Sequence, residues 1–255
     1  MFVLFEELWL PLLGLAAGIL GSMIGLGGGI VVVPVLTFLG FSPPLAASNS
    51  LFAAFSNAVA SSASYAKQER IQYSLALKFG LPALPGTVLG ALISDEISSP
   101  LFKALFGIVL LASSVYIFSK RKMEPKAYNL SKQVMVLAVG ASFFAGIISS
   151  LFGIGGGLVF VPLMVVVIGL TMKLAAPTSQ FILLFVSASG MITHAVLGHP
   201  DFYQALLLAA GAFAGGLIGS RLSLQVEEKK LKILVSAVMI VAAVKLFIDS
   251  LEGSF

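Results

Sequence analysis

The sequence predicts an all-α polytopic membrane protein made of two inverted-topology repeats, each a glycine-broken helical hairpin followed by three transmembrane helices. The composition, a glycine-rich segment that occurs twice and the uneven placement of basic residues support this fold class. Of 255 residues, 58% are hydrophobic and 10% are charged, whereas soluble domains carry about 25% charged residues. The apolar runs last about 20 residues, which is the length of a membrane-spanning helix and about twice that of a barrel strand.

The glycine-rich segment occurs once in each half of the chain. Residues 18–36 read GILGSMIGLGGGIVVVPVL, and residues 146–164, at an offset of 128, read GIISSLFGIGGGLVFVPLM. Five glycines and a proline coincide: Gly18, Gly25, Gly27, Gly28, Gly29 and Pro34 fall on Gly146, Gly153, Gly155, Gly156, Gly157 and Pro162. A glycine destabilises a helix by roughly 1 kcal/mol relative to alanine. Three in succession therefore predict a helix break at the same place in both halves.

Eight apolar stretches define the domain organisation. They are Leu8–Leu39, Leu45–Ala66, Ser74–Ile93 and Pro100–Ser119 in the first half, and Val134–Leu170, Leu174–Leu197, Tyr203–Leu222 and Leu231–Ile248 in the second. The first repeat is residues 1–119, a basic linker is residues 120–133, and the second repeat is residues 134–255. Downstream of the glycines the offset becomes 129, which places Gly86 and Gly90 on Gly215 and Gly219. This spacing of small residues predicts close helix packing.

Basic residues predict which loops face the cytoplasm. They occur between the second and third stretches of the first repeat, in the linker and before the last stretch, whereas the intervening loops carry Asp95 and Asp201. The positive-inside rule places the basic loops, including linker 120–133, on the cytoplasmic side of the cell membrane. Equivalent loops of the two repeats then lie on opposite faces, which makes the repeats inverted.

The inverted topology requires the first stretch of each repeat to enter and leave the bilayer on one side. Both are too long for one span of about 20 residues, so we expect each to fold back at its glycines. Leu8–Leu39 is expected to have both ends outside, and Val134–Leu170 both ends inside. Non-helical backbone at membrane depth is tolerated only inside protein or beside a water-filled cavity. The two glycine turns are therefore predicted to meet near the bilayer midplane and to line a site.

The glycine turns, Gly27–Gly29 and Gly155–Gly157, are candidate anion-binding elements. The start of a helix carries N–H groups without intrahelical partners and the positive end of the helix dipole. Such ends bind anions, and broken helices at inverted-repeat interfaces commonly form transporter sites. A soluble-type phosphate loop is disfavoured because no Lys-Ser or Lys-Thr follows either run. The alternative that the glycines only form a tight turn stays open.

A polar stripe follows each hairpin and supplies candidate neutral donors. The members are Ser48, Asn49, Ser50, Asn57, Ser61 and Ser64 in the first repeat, and Thr178, Ser179, Gln180, Ser187 and Ser189 in the second. Of these, Asn49, Ser50, Asn57, Thr178, Ser179 and Gln180 are the candidate substrate-binding residues. Neutral donors can hold the oxygens of a small anion without a buried counter-charge. Each could instead hydrogen-bond a neighbouring helix.

Several function classes are disfavoured by residue types. The absence of cysteine removes disulfides, thiolate metal sites and cysteine nucleophiles, and we expect no cofactor and no metal. The net charge of +4 lies in the loops and does not indicate a nucleic-acid partner. His194 is either a proton carrier or an interfacial structural residue. The absence of Asp and Glu from the middle of every stretch argues against a carboxylate relay.

The doubled motif resembles a known family. The pattern G-x-G-G-G-x-x-x-x-P, followed by a short loop and A-x-(N/T)-S, occurs twice and is similar to that of the sulfite exporter TauE/SafE family of membrane permeases. The resemblance implies a site formed by Gly27–Gly29 with Asn49 and Ser50, opposed by Gly155–Gly157 with Thr178 and Ser179. It also implies sulfite, sulfonates or related organosulfur anions as substrates. The family usually has Thr-Ser where this chain has Asn49-Ser50, and this difference bears on substrate preference.

The predicted function is a secondary transporter that moves a small organosulfur or sulfur oxyanion by alternating access. Its partners are the small anionic substrate and the lipid bilayer. A passive anion channel with the same neutral donors is the alternative. An intramembrane enzyme is disfavoured because no nucleophile–base pair and no metal-ligand cluster is visible. The particular anion, the direction of transport, the coupling ion and the oligomeric state stay open.

Overall fold

The computed structural model describes residues 7–119 and 132–252, and this part of the chain is helical without any strand. The helices are α1 (Trp9–Ile24), α2 (Gly29–Phe38), α3 (Pro43–Lys67), α4 (Tyr73–Ser94), α5 (Ser99–Ser119), α6 (Lys132–Leu151), α7 (Gly157–Pro162), a π-helical turn (Leu163–Val167), α8 (Met172–Val196), α9 (Phe202–Leu222) and α10 (Glu228–Glu252). The all-α prediction is confirmed. Of the predicted linker, residues 120–131 lie outside the described residues, and the last two belong to α6.

The first apolar stretch is two short helices separated by a glycine turn. Helix α1 has 16 residues and α2 has 10, or about 24 and 15 Å of helix at 1.5 Å per residue. The turn uses left-handed backbone at Gly25, Gly27 and Gly28, with φ of 83°, 80° and 59°, a region open to glycine because it has no Cβ. The chain doubles back here, since Gly28 lies against Ala17 of the preceding helix.

The second hairpin repeats this construction with one difference. Gly153, Gly155 and Gly156 take φ of 67°, 72° and 89°, so the same three positions of the motif are left-handed in both halves. After the turn, α7 lasts six residues and passes directly into the π-helical turn Leu163–Val167. In the first repeat the equivalent proline, Pro34, lies inside an uninterrupted α2. The returning arm is therefore regular in one repeat and wound more widely in the other.

The first arm of each hairpin packs against the second helix that follows the hairpin in the opposite repeat. Helix α1 contacts α9, and α6 contacts α4, in both cases through glycines set against backbone. A Cβ at Gly86 would collide with the carbonyl oxygen of Phe143, and one at the equivalent Gly215 with that of Leu15. The spacing of small residues is therefore a packing device, as the sequence predicts.

Equivalent helices of the two repeats run antiparallel. Leu51 of α3 lies beside Gly190 of α8. Ten residues further along α3, the Ser61 Oγ lies 3.2 Å from the Oε1 of Gln180, which lies ten residues before Gly190 in α8. Aromatic contacts recur at the repeat offset as well. The ring centroids are 5.9 Å apart for Phe52–Phe202 and 5.0 Å apart for Tyr73–Phe181. Each of these contacts therefore occurs twice, with the roles of the two repeats interchanged.

The loops form two separate ends of the bundle. At one end, His199 reaches Asp95 and the Asp201 amide reaches Asn49. At the other, Arg70 bonds to the carbonyl of Lys173 and to the Ser223 hydroxyl. These groupings match the loops predicted to be outside and inside, respectively. Which end faces the cytoplasm stays a prediction.

The bundle is apolar outside and holds buried polar side chains within its apolar core. Leu137, Phe144 and Val196 expose 73%, 63% and 82% of their surface, whereas Asn57 and Gln180 are fully buried. This pattern is typical of helices that face hydrocarbon and satisfy polar groups internally. Helices α4, α8 and α9 are long and apolar enough to cross a membrane, by length and composition, within the part of the chain described.

Two glycines of α6 test the close-packing interpretation. A Cβ at Gly146 would collide with the carbonyl oxygen of Ala83, whereas one at the exposed Gly140 would meet nothing within 4 Å. Gly146→Ala should therefore lower the melting temperature of the detergent-purified protein, with an overpacking cost of about 1 to 3 kcal/mol. Gly140→Ala, the matched control, should be neutral or stabilising by up to about 1 kcal/mol. Equal effects of the two substitutions would contradict the packing described for α4 and α6.

Candidate functional site

The two glycine turns are in direct backbone contact at the centre of the bundle. A Cβ at Gly29 would collide with the Gly153 carbonyl oxygen, and one at Gly157 with that of Gly25. Residues 21–30 and 150–158 are buried throughout. The predicted meeting of the turns is therefore observed, while their depth in a bilayer stays a prediction. Because the backbones touch, an anion can enter between the turns only if they separate.

Ser50 and Ser179 brace the turns reciprocally. The Ser50 hydroxyl donates to the Gly153 carbonyl at 2.7 Å, and the Ser179 hydroxyl donates to the Gly25 carbonyl at 2.7 Å. Each serine belongs to one repeat and its acceptor to the turn of the other. The hydroxyl protons are thus committed to the protein, although each oxygen keeps acceptor capacity.

Asn49 and Thr178 point away from the turns, toward the residues that precede α9 and α4. The Asn49 Oδ1 accepts from the Asp201 amide at 3.1 Å, and its Nδ2 donates to the Gln204 Oε1 at 3.4 Å. At the equivalent place, the Thr178 hydroxyl accepts from the Gln72 amide at 3.0 Å. The sequence groups these residues with their serine neighbours, but adjacent helical residues face different directions.

Gln180, Ser61 and Asn57 form a polar cluster, which Gln180 joins to Gly21, four residues before the first left-handed glycine. The Gln180 Nε2 donates to the Gly21 carbonyl at 2.8 Å, while its Oε1 accepts from the Ser61 hydroxyl at 3.2 Å. One helical turn away, Asn57 is fully buried, and both atoms of its amide lack a protein partner. Its side chain lies against Gly216 of α9. A buried unsatisfied amide is costly, and its usual partners are a ligand or water.

The second turn has hydroxyls where the first has amides. The hydroxyls of Ser149 and Ser150, just before the turn, are buried without a partner. The positions equivalent to Gln180 and Ser61 are Leu51 and Gly190, which pack together. The two repeats therefore share a backbone arrangement but differ in the polar side chains near their turns.

An apolar cavity lies beside the polar cluster. Its lining consists of Leu20, Gly21, Ile24, Leu26, Ile30, Val31 and Met239. Through Gly21 it borders the hydrogen bond made by Gln180. An anion would not be held by this lining, since it offers no polar side chain. The cavity is therefore not a candidate anion site.

Sequence reasoning missed several partners at the two ends of the polar region. The Tyr65 hydroxyl donates to the Ser22 carbonyl at 2.8 Å, and His194 bonds to the equivalent Ser150 carbonyl at 3.1 Å. The offset of 129 that relates Gly86 to Gly215 also relates Tyr65 to His194. Extending the repeat alignment to the ends of α3 and α8 would have paired them. Among the described residues, no group of three or more His, Cys, Asp or Glu is placed to hold a metal.

An apolar exterior, buried polar side chains and two glycine turns in contact are typical of a polytopic membrane transporter. Comparison with known proteins agrees with this class. The family model described as "Sulfite exporter TauE/SafE" matches residues 10–246, and the chain belongs to this family. Members of the family are membrane transporters rather than enzymes.

Two relatives match nearly the whole chain, and a third matches less than half of it. The probable membrane transporter protein YunE of Bacillus subtilis is 32% identical over 95% of this chain and 97% of its own length. A probable membrane transporter protein of Methanocaldococcus jannaschii is 30% identical over 91% and 93%, respectively. The sulfite exporter TauE/SafE family protein 1 of Arabidopsis thaliana is 33% identical over 45% of this chain and 26% of its own length. No solved structure matches the chain significantly.

The serine braces can be tested on one helix. Ser50→Ala should lower the melting temperature, because it removes a hydrogen bond worth about 0.6 kcal/mol on average between membrane helices and leaves the Gly153 carbonyl buried. Ser62, also in α3 and buried, has a hydroxyl without a partner. Ser62→Ala should therefore leave the melting temperature unchanged or raise it slightly. A larger loss at Ser62 than at Ser50 would contradict the brace.

Proposed function

We propose that the protein is a secondary transporter that moves a small sulfur oxyanion or organosulfur anion, such as sulfite or a sulfonate, across the cytoplasmic membrane by alternating access. The observation that carries the proposal is the Asn57 amide, which is fully buried one helical turn from Ser61, with both polar atoms lacking a protein partner. The family description and the name of the Arabidopsis thaliana relative support the substrate class.

Neutral donors suit this cargo. Among the described residues, the fully or nearly fully buried polar side chains are Ser, Thr, Asn, Gln, Tyr and His, without a buried lysine or arginine. An oxyanion can take hydrogen bonds from the two N–H groups of Asn57 or from the hydroxyls of Ser149 and Ser150, which have no protein partner. Hydrogen bonds to a charged group are the stronger kind, at about 1.5 to 3 kcal/mol each. Because no buried lysine or arginine among the described residues is paired with the anion, the site can bind the anion and then release it.

Alternating access follows from how the halves meet. The repeats are inverted in this proposal, and the antiparallel run of α3 and α8 supports that arrangement. The turns touch through backbone that must part to admit an anion. Separation toward one end of the bundle and then toward the other would expose the site to each side in turn. The serine braces across the interface are the contacts that such a movement remakes.

A passive anion channel with the same donors is the second candidate. The observation that favours it is that no Asp or Glu among the described residues is a fully buried residue that could couple transport to a cation. Proteoliposomes loaded with unlabelled sulfite separate the two. A carrier takes up labelled sulfite by counterflow and saturates, whereas a channel does neither. Sulfoacetate, taurine and sulfate in the same assay define the substrate class.

Two asparagines of α3 distinguish binding from support. Asn57→Ala should weaken anion binding by about 1 to 3 kcal/mol, which is roughly a five- to hundredfold rise in the apparent dissociation constant. Its apo-protein melting temperature should not fall, since the amide has no protein partner to lose. Asn49→Ala should lower the melting temperature because two bonds disappear. Unchanged affinity in Asn57→Ala would remove this residue from the site.

The proposed topology is testable at equivalent ends of the two hairpins. The chain has no native cysteine, and both Ser42 and Lys173 are exposed. In intact cells, Ser42→Cys should react with an impermeant thiol reagent, whereas Lys173→Cys should react only after permeabilisation. Labelling of both cysteines from the same side would contradict inverted repeats.

A further inference from the structure

A chain of polar groups joins the end of the bundle that carries Asp95 to the second glycine turn. The Asp95 carboxylate lies 2.9 Å from the His199 Nε2, and its side chain is 48% exposed. The His199 Nδ1 lies 2.7 Å from the His194 Nδ1, and the His194 Nε2 lies 3.1 Å from the Ser150 carbonyl oxygen. His194 itself is fully buried. Four elements are thereby tied together: α8, the loop after it, the loop after α4 and the end of α6.

The donor and acceptor roles along this chain require one bound proton. A carbonyl only accepts, so the His194 Nε2 must carry a hydrogen, and the contact between the two Nδ1 atoms needs a single hydrogen between them. If the Asp95 carboxylate is ionised, the His199 Nε2 must also carry one. The two imidazoles then share one proton beyond their neutral forms. Removing that proton leaves two lone pairs facing each other at 2.7 Å, or breaks the bond to Asp95.

The other end of the bundle has the same construction with groups that do not titrate near neutral pH. The repeat offset relates His194 to Tyr65 and His199 to Arg70. The Tyr65 hydroxyl donates to the Ser22 carbonyl at 2.8 Å. The Arg70 guanidinium carbon lies 5.2 Å from the centre of the Tyr65 ring, and its Nη1 donates to the Ser223 hydroxyl at 3.1 Å. A phenol and a guanidinium keep their charge states over the range in which histidine changes.

We propose that His194, His199 and Asp95 form a proton-binding site that locks this end of the transporter while the proton is bound. The effect on transport rests on the proposed function, but the binding of the proton does not. Within the described residues, the charged groups that act on His194 are His199 and Asp95. Ser150 precedes the left-handed Gly153 of the second turn by three residues. Release of the lock therefore frees the hairpin arm that must move to open this end.

The direction of the pH effect follows from which state holds the bonds. The bonds are complete below the midpoint at which the pair gains its proton, and they are lost as the pH rises through that midpoint. Lowering the pH on this side of the membrane closes the end, and raising it permits opening. Because the imidazoles are in contact, the midpoint belongs to the pair rather than to either residue.

The proton site is tested first by nuclear magnetic resonance, because the chain has only two histidines. The tag-free protein is labelled with ¹⁵N at histidine and placed in lipid nanodiscs. As the pH is raised, the signals of both imidazoles should change at one shared midpoint, when the pair loses its first proton. Asp95→Asn should move that midpoint to lower pH, since a neutral amide no longer stabilises the shared charge. Independent titration of the two rings, or an Asp95→Asn spectrum with the same midpoint, would overturn the proposal.

The lock is tested by access to Ser150, which does not depend on transport. A small thiol reagent is added outside, and the rate at which it modifies Ser150→Cys is measured as a function of pH. This rate should rise with pH more steeply than that of Ser42→Cys, because the exposed cysteine responds only to the ionisation of its own thiol. In the double variant His194→Tyr/His199→Arg, which copies the other end of the bundle, this excess should disappear. The same excess in the double variant as in the parent would overturn the lock.

Transport then connects the lock to the proposed function. Sulfite flux at this face should change by up to about tenfold per pH unit, as one proton allows, and the double variant should lose this dependence. Tyr65→Phe, the matched change at the other end, should keep the parent pH profile whatever its rate. A parent profile in the double variant would overturn the lock. If no anion of the panel is transported, the proposed function fails, and the resonance and labelling results alone decide on the proton site.

Discussion

The contact on which the structure depends is the one between the two glycine turns. Backbone meets backbone there, so Gly29 and Gly157 cannot carry a side chain. Two hydroxyls hold the contact, each given by one repeat to the turn of the other. In a medium without water, a buried carbonyl has few alternative partners, and these two bonds specify how the halves fit. The pairing of α1 with α9 and of α6 with α4 brings the turns together.

The polar interior divides between support and binding. Ser50, Ser179, Asn49 and Thr178 have protein partners, and their bonds connect turns and loops across the repeats. Asn57, Ser149 and Ser150 have side-chain atoms without protein partners, and the two serines directly precede the second turn. A group left unsatisfied in a native interior commonly marks a functional place rather than an error of packing. The motif that is easiest to see in the sequence therefore contains much of the support, and the free donors lie a few residues away.

The sequence predicts much of this fold because its strongest signals are local. The doubled glycines fall on the same left-handed positions in both halves, and Gly86 and Gly215 pack as their spacing indicates. The site is harder to predict, because a polar residue on a helix does not reveal which neighbour it meets. Asn49 and Ser50 are adjacent in the chain, yet one bonds to the residues before α9 and the other to a glycine turn. The pairing of His194 with His199 depends on a loop conformation that no periodicity encodes.

The reciprocal braces also order the biogenesis of the protein. The hydroxyl that holds the first turn belongs to Ser179, which is synthesised 154 residues after Gly25. When the first half leaves the ribosome, the carbonyl of its turn has no such donor and is expensive to leave bare in hydrocarbon. The first hairpin therefore waits in the membrane as an unfinished element until α8 is inserted. The second turn meets its donor, Ser50, as soon as it is inserted, whereas the first turn is completed only when α8 brings Ser179.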